Sequence, residues 1–114
     1  MHFASPPTLS CQLVPDRERM IVRVVGELDL EGAPQLTAVV DELLGVGFAR
    51  IVIDLRGVGF VASAGVHALL RAHRSAEASG CTLELVRAAP AVHRVFELTR
   101  TEAALRFRDD VDIG

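Results

Sequence analysis

The chain has 114 residues, 50% of them hydrophobic, and a formal net charge of −3. That length suits one compact domain with ample core material, while a negative balance without any basic run argues against a binder of nucleic-acid phosphates. Tyr and Trp are absent, which removes the usual platform for stacking bases.

The opening "MHFASPPTLS" lacks a basic region followed by an apolar segment, so no signal peptide is expected. The longest apolar run, Ile51 to Leu55, is broken by Asp54 and closed by Arg56, far short of a membrane span. These features predict a soluble, cytoplasmic product without membrane insertion. Residues 1–8 carry Pro6 and Pro7 and are read as a loose N-terminal segment; 9–114 is read as a single domain.

"LSCQLV" (9–14) alternates weakly, as an edge strand does, and "PDRE" (15–18) is a turn signal. The β-branched "RMIVRVVGEL" (19–28) is the next strand, and the two runs predict an antiparallel hairpin. Leu36, Val39, Val40, Leu43 and Leu44 form one apolar helical stripe. Pro34 falls in that helix's first turn, where its missing N–H costs little, and Gly45 and Gly47 are read as its stop.

"RIVIDL" (50–55) is nearly continuously apolar and suits a parallel strand covered on both faces. After a linking "RGVGFVA", a second helix is expected over about Ser63–Ser79, with Val66, Leu69, Leu70 and His73 on its buried side and Gly80 as its end. "CTLELV" (81–86) is a further strand. Pro90 opens a third helix with Val92, Val95, Phe96 and Thr99 on one face, and "TEAALRFRDD" predicts a helical turn and a short last strand. The order β-β-α-β-α-β-α gives an α/β fold, a mixed sheet of four to five strands with three to four helices and right-handed crossovers. Partners of such sheets favour the carboxyl ends of the strands. "GELDLEG" (26–32) and "GVGFVASAG" (57–65) both lie there, which puts Asp29 and Ser63 on one edge.

Cys11 and Cys81 have no CxxC spacing and no nearby paired histidines. Free thiols are therefore expected, without a metal site and without a disulfide between two strands on opposite sides of the sheet.

Ser63 has three readings. It is a helix cap whose oxygen accepts from the N–H of Val66, a nucleophile, or a phosphoacceptor. "VASAG" has the outline of a nucleophile elbow, with His67 one turn on. Against that, Val61 stands where the elbow needs its first glycine, His67, His73 and His93 all come before the tail aspartates Asp109, Asp110 and Asp112 rather than after an aspartate as in the hydrolase order, and the chain is short for a substrate pocket. His67 is instead read as a solvent-facing residue beside Arg71 and Arg74. No catalytic role is assigned. A nucleotide site lacks its glycine-rich cradle with a lysine, and no cofactor is expected.

Four pieces, "VVGELDLEGAPQL", "RIVIDLRGVGFVASAGVHALL", "GCTLELV" and "APAVHRVFELT", in this order and spacing, resemble the STAS family of bacterial anti-sigma factor antagonists. The likeness runs from about Leu9 to Arg108. It implies that Ser63 is phosphorylated by a partner that is both kinase and anti-sigma factor, that the unmodified protein sequesters this partner and frees a sigma factor, and that a phosphatase resets the switch. It also implies that Asp29, Ala62, Ser63, Ala64 and Gly65 belong to the partner-binding surface of a monomer or weak dimer. Two departures stand out. Ala62 and Ala64 replace the family's frequent Asp and second Ser, which leaves Ser63 as the only acceptor in the loop and removes a charge beside it. Gly32 stands where a Ser or Thr cap is usual, a loss of only a few tenths of a kcal/mol. The alternative is a non-phosphorylated STAS subunit of a larger assembly, such as a lipid-transport or stress-sensing complex.

Overall fold

A computed structural model describes residues 9–111; the expected loose segment 1–8 lies outside them. The elements are β1 (Leu9–Asp16), β2 (Arg19–Leu28), α1 (Gly32–Val46), β3 (Arg50–Val61), α2 (Ser63–Ala78), β4 (Thr82–Val86), α3 (Pro90–Leu98), a 3-10 turn (Glu102–Ala104) and β5 (Phe107–Arg108). They form a five-stranded mixed sheet in the order β1-β2-β3-β4-β5. β1 is antiparallel to β2 and every other pair is parallel. No helix among the described residues is long and apolar enough to cross a membrane.

The first hairpin is tighter than its turn signal suggested. Pro15 and Asp16 continue β1, and Asp16 pairs with Arg19. An edge strand tolerates proline because its free side needs no N–H. Only Arg17 and Glu18 turn, with Arg17 at φ +60°. The buried Arg19 closes the hairpin by donating from Nε to Asp16 Oδ2 at 2.9 Å.

One face of the sheet carries Met20, Val22, Val24, Ile51, Ile53, Leu55, Leu83 and Leu85. Against it pack Leu36, Val40 and Leu43 of α1, Val66, Leu69, Ala72 and Ala76 of α2, and Phe96 of α3. The main core therefore lies between the sheet and a layer containing all three helices. The other face holds a small cluster of Ile21, Val52 and Val86, with Val14 and Val111 packed against it. Ile51–Leu55 is buried on both faces, as its nearly continuous apolar character implied. Asp54, on the second face, accepts from the Arg56 backbone N–H, from Nε at 2.9 Å and from Nη2 at 2.8 Å. Burial pushes its carboxyl pKa up, but the Arg56 hydrogen bonds and charge outweigh this and hold it below the usual range.

Two helix boundaries differ from the expected ones. Gly45 is inside α1, and Gly47 alone ends it in the left-handed conformation, φ +97°. Thr99 is not on the buried face of α3. It is the exposed C-cap, with its hydroxyl donating to the Val95 carbonyl at 2.7 Å. His93 joins Phe96 as a buried position on that helix.

Cys11 lies on β1 and Cys81 immediately before β4, with β2 and β3 between them in the sheet, and both are free thiols. Burial raises both thiol pKa values.

Candidate functional site

Glycine-rich "RGVGFV", expected as a link, is the outer half of β3. Its register against β2 slips twice, between Arg23 and Val25 and between Gly26 and Glu27 of β2. Such bulges bend and twist a strand end next to a site. Gly57 occupies the first irregularity, where a Cβ would sit 2.9 Å from both the Val24 carbonyl and Val25 Cγ2. The long ladder overrides the turn propensity of these glycines and carries β3 to Val61, opposite Leu28.

The two parallel strands thus end level, and their exits are tied together. The Ala62 N–H donates to the Leu28 carbonyl at 3.0 Å. Beyond Leu28, Asp29 organises the entry to α1. Its Oδ1 accepts from the N–H of Gly32 at 2.8 Å and of Glu31 at 3.1 Å, and its carbonyl accepts from Ala33 at 2.8 Å. Asp29 therefore caps α1, while Glu31, formally preceding the helix, makes no side-chain cap bond. Gly32 is not a weakened cap: a Cβ there would lie 2.5 Å from the Glu27 carbonyl. Space excludes the Ser or Thr that the capping argument favoured.

Beyond Val61, Ala62 is the N-cap of α2, with φ −89° and ψ 173°, and its carbonyl accepts from Gly65 at 2.9 Å and Val66 at 3.1 Å. Ser63 is the first residue inside the helix. This corrects the expected cap role by one position, because a side chain within the first turn projects outward and α2 has no side-chain cap bond. The Ser63 side chain is exposed. Among the described residues neither its hydroxyl nor the exposed His67 ring makes a hydrogen bond, so the contact that the elbow reading needs is missing.

Ala62 and Ala64 flank Ser63 half-exposed. Gly65 is different. It is buried beneath them, and a Cβ on it would lie 2.4 Å from the Leu28 carbonyl and 2.8 Å from Leu28 Cγ. Gly65 lets α2 start close against β2. Val66, expected on the buried side of α2, is buried at 3% exposure.

Sequence reasoning missed a groove of about 780 Å³ between α1 and α2, which begins at Ala64. Ala33 and Ala38 of α1 and Ala64 and Ala68 of α2 line it, and Asp41, His67, Arg71 and Arg74 add polar groups. Leu30, 78% exposed, stands at its lining, and Phe60, 51% exposed, lies at the end of β3. The available signal was the alanine spacing at 64, 68 and 72, one helix face too small to close the space.

Small helices packed on one side of a mixed sheet, with two parallel strands delivering an acid-capped helix and an exposed serine to one edge, define an α/β domain built around that edge. The family model described as "Mlab, STAS domain" matches residues 11–106, and the chain belongs to the STAS domain family. It is 30% identical over 84 residues to the Anti-sigma F factor antagonist of Lysinibacillus sphaericus, covering 73% of this chain and 72% of that one. An anti-sigma factor antagonist from Mycobacterium paratuberculosis has the same fold, with a TM-score of 0.84, 23% identity and coverage of 96% of this chain and 93% of that one. SpoIIAA is similar in its unphosphorylated form, with a TM-score of 0.71, 26% identity and coverage of 87% and 88%. The phosphorylated Bacillus SpoIIAA gives a TM-score of 0.65, 25% identity and coverage of 87% and 91%.

Proposed function

We propose that this chain is an anti-sigma factor antagonist whose hold on its anti-sigma partner is released by phosphorylation of Ser63. The observation that carries the reading is the position of that hydroxyl. It is exposed at the first residue of α2 and the fold makes no use of it. The names and forms of the similar proteins support the same reading. Asp29, Ala62 and Ala64 share the edge with Ser63, and the α1–α2 groove offers a partner a recess directly beside it. In this reading the partner is the serine kinase as well as the anti-sigma factor, and a phosphatase restores binding.

The physics suits a switch at the interface rather than in the fold. A phosphate adds about −1.5 to −2 charges. A helix N-terminus accepts an anion, since its first N–H groups and its dipole favour negative charge. The first turn of α2 carries no acidic residue to repel it. The modified domain stays folded, and the charge falls on the surface the partner must approach. Losing about 3 kcal/mol there weakens binding more than a hundredfold.

The test compares Ser63→Asp with Ser63→Ala in binding to the anti-sigma partner, alongside mapping of the phosphate placed by that partner with ATP. Asp should weaken binding strongly and Ala should leave it near wild type. Because Ser63 is not the cap, both should unfold within about 0.5–1 kcal/mol of wild type, so any binding loss belongs to the interface. Phosphate on Thr37, Ser75 or Ser79 with Ser63 unmodified refutes the proposal. If neither substitution affects binding, the chain is a non-phosphorylated STAS subunit of a larger assembly, a reading that Ala62 in place of a carboxylate favours.

A further inference from the structure

We propose that His93, Glu97 and Glu102 form a binding site for a divalent transition-metal ion, with Zn²⁺ the best match. His93 and Glu97 lie one turn apart on α3 and so share a helix face. The chain then reverses. Thr99 caps α3, Arg100 takes φ +58°, and the Thr101 N–H donates to the Phe96 carbonyl at 3.0 Å. This turn returns Glu102, at the start of the 3-10 turn, to the face it shares with His93 and Glu97. One ligand atom from each of the three residues lies within 4.8 Å of the others.

The imidazole is the informative member. Its side chain is only 8% exposed. Phe107 meets the ring edge-on at 4.6 Å between centroids, and Phe96 is tilted against it at 5.4 Å. Neither ring nitrogen makes a hydrogen bond. Nε2 nevertheless stands 3.2 Å from Glu102 Oε2, at ion-pair distance but without hydrogen-bond geometry. A simple ion pair would account for that one contact and would leave Glu97 without a role. Buried polar groups lacking partners are costly and call for an explanation.

An ion bridging the three residues supplies one. Ligands about 2.0–2.1 Å from a tetrahedral Zn²⁺ are spaced about 3.3 Å from each other, close to the 3.2 Å between Nε2 and Oε2. A modest rotation of the exposed Glu97 side chain brings in its carboxylate. One imidazole and two carboxylates form a borderline donor set suited to Zn²⁺ and less to Ca²⁺, which prefers oxygen alone. Both carboxylates reach solvent, which gives the ion an entry path and leaves its fourth position to water. The ion would staple the end of α3 to the 3-10 turn. The site shares no residue with the Asp29–Ser63 edge, so it stands or falls independently of the switch.

The test is calorimetric titration of chelator-treated, metal-free protein with Zn²⁺, with Co²⁺ as the spectroscopic probe. One Zn²⁺ per chain is expected, together with a rise in melting temperature. Co²⁺ should give visible d–d bands without the thiolate charge-transfer band that Cys11 or Cys81 would produce. Glu97→Gln and Glu102→Gln alter carboxylates that reach solvent, so both variants should fold. Each should weaken binding at least about tenfold. His73→Gln, altering the other i,i+4 histidine–glutamate pair on a helix, should leave affinity unchanged. Absence of binding at submillimolar Zn²⁺, equal affinity in wild type and both glutamate variants, or a thiolate band overturns the proposal.

Discussion

Replacing Gly65 by Ala tests how closely α2 must approach β2. The added methyl would sit 2.4 Å from the Leu28 carbonyl oxygen and 2.8 Å from Leu28 Cγ. Neither neighbour yields easily. Leu28 is fully buried, and its carbonyl already accepts from Ala62 at 3.0 Å. Overpacking of this kind costs about 1–3 kcal/mol, and a strained or lost Ala62–Leu28 bond adds about 1 kcal/mol. The better helix propensity of alanine returns at most about 1 kcal/mol. The net destabilisation is about 1–3 kcal/mol. At roughly 4 °C per kcal/mol for a domain of this size, the melting temperature should fall by about 4–12 °C. Thermal and urea unfolding measure it, with Gly45→Ala as the control. Gly45 is inside α1 with nothing within 4 Å of the added methyl, so that variant should gain about 0.4–1 kcal/mol. A Gly65→Ala protein as stable as wild type would refute the close approach of α2 to β2.

Asp29 and Asp54 allow two further tests. Asp29→Ala removes the acceptor of two backbone N–H groups and should cost about 1 kcal/mol in urea unfolding. Asp29→Asn keeps an acceptor oxygen and should stay within about 0.5 kcal/mol, so any loss of partner binding in that variant reports the charge itself. The carboxyl pKa of Asp54 is lowered in the folded state. It therefore contributes stability above its unfolded pKa of about 3.9, and that contribution is lost as pH falls through the lower folded value. Asp54→Asn should be less stable than wild type at about pH 7, and the gap should narrow below about pH 4 in pH-dependent urea unfolding. A gap independent of pH refutes the ionic role of the Asp54–Arg56 pair.

The strand order and the meeting of Asp29 with Ser63 were legible because each rests on an extended pattern. Six apolar positions among the ten of β2 and three among the five of "RIVID" leave little choice of pairing, and right-handed crossovers fix the neighbours. What escaped was decided by single contacts. Glycines 57 and 59 carry turn propensity, yet they lie in a ladder whose energy comes from β2. The α2 boundary moved by one residue because Ala62, with no side-chain signal, holds the capping conformation. His93 reads as polar on a helix whose apolar stripe is Val92, Val95 and Phe96, so only Phe107, brought in by β5, reveals its burial. The α1–α2 groove depends on the missing volume of alanines from two helices, which neither helix reports alone.

These contacts divide the candidate edge by what the fold demands of each position. Gly32 and Gly65 have no room for a side chain, and the Asp29 oxygen is occupied by the start of α1. A side chain at either glycine, or loss of the Asp29 acceptor, disturbs the path of the chain. Ser63 bears none of these duties: it is exposed, makes no cap bond and opens a helix that tolerates negative charge. A residue bound into the core could be modified only by disturbing the fold, which would make release slow and costly to reverse. A free hydroxyl on a rigid support changes the charge of a surface while leaving its shape in place. That combination of fixed surroundings and one uncommitted group is what a reversible, interface-based switch requires, and it gives Ser63 its weight among the candidate residues.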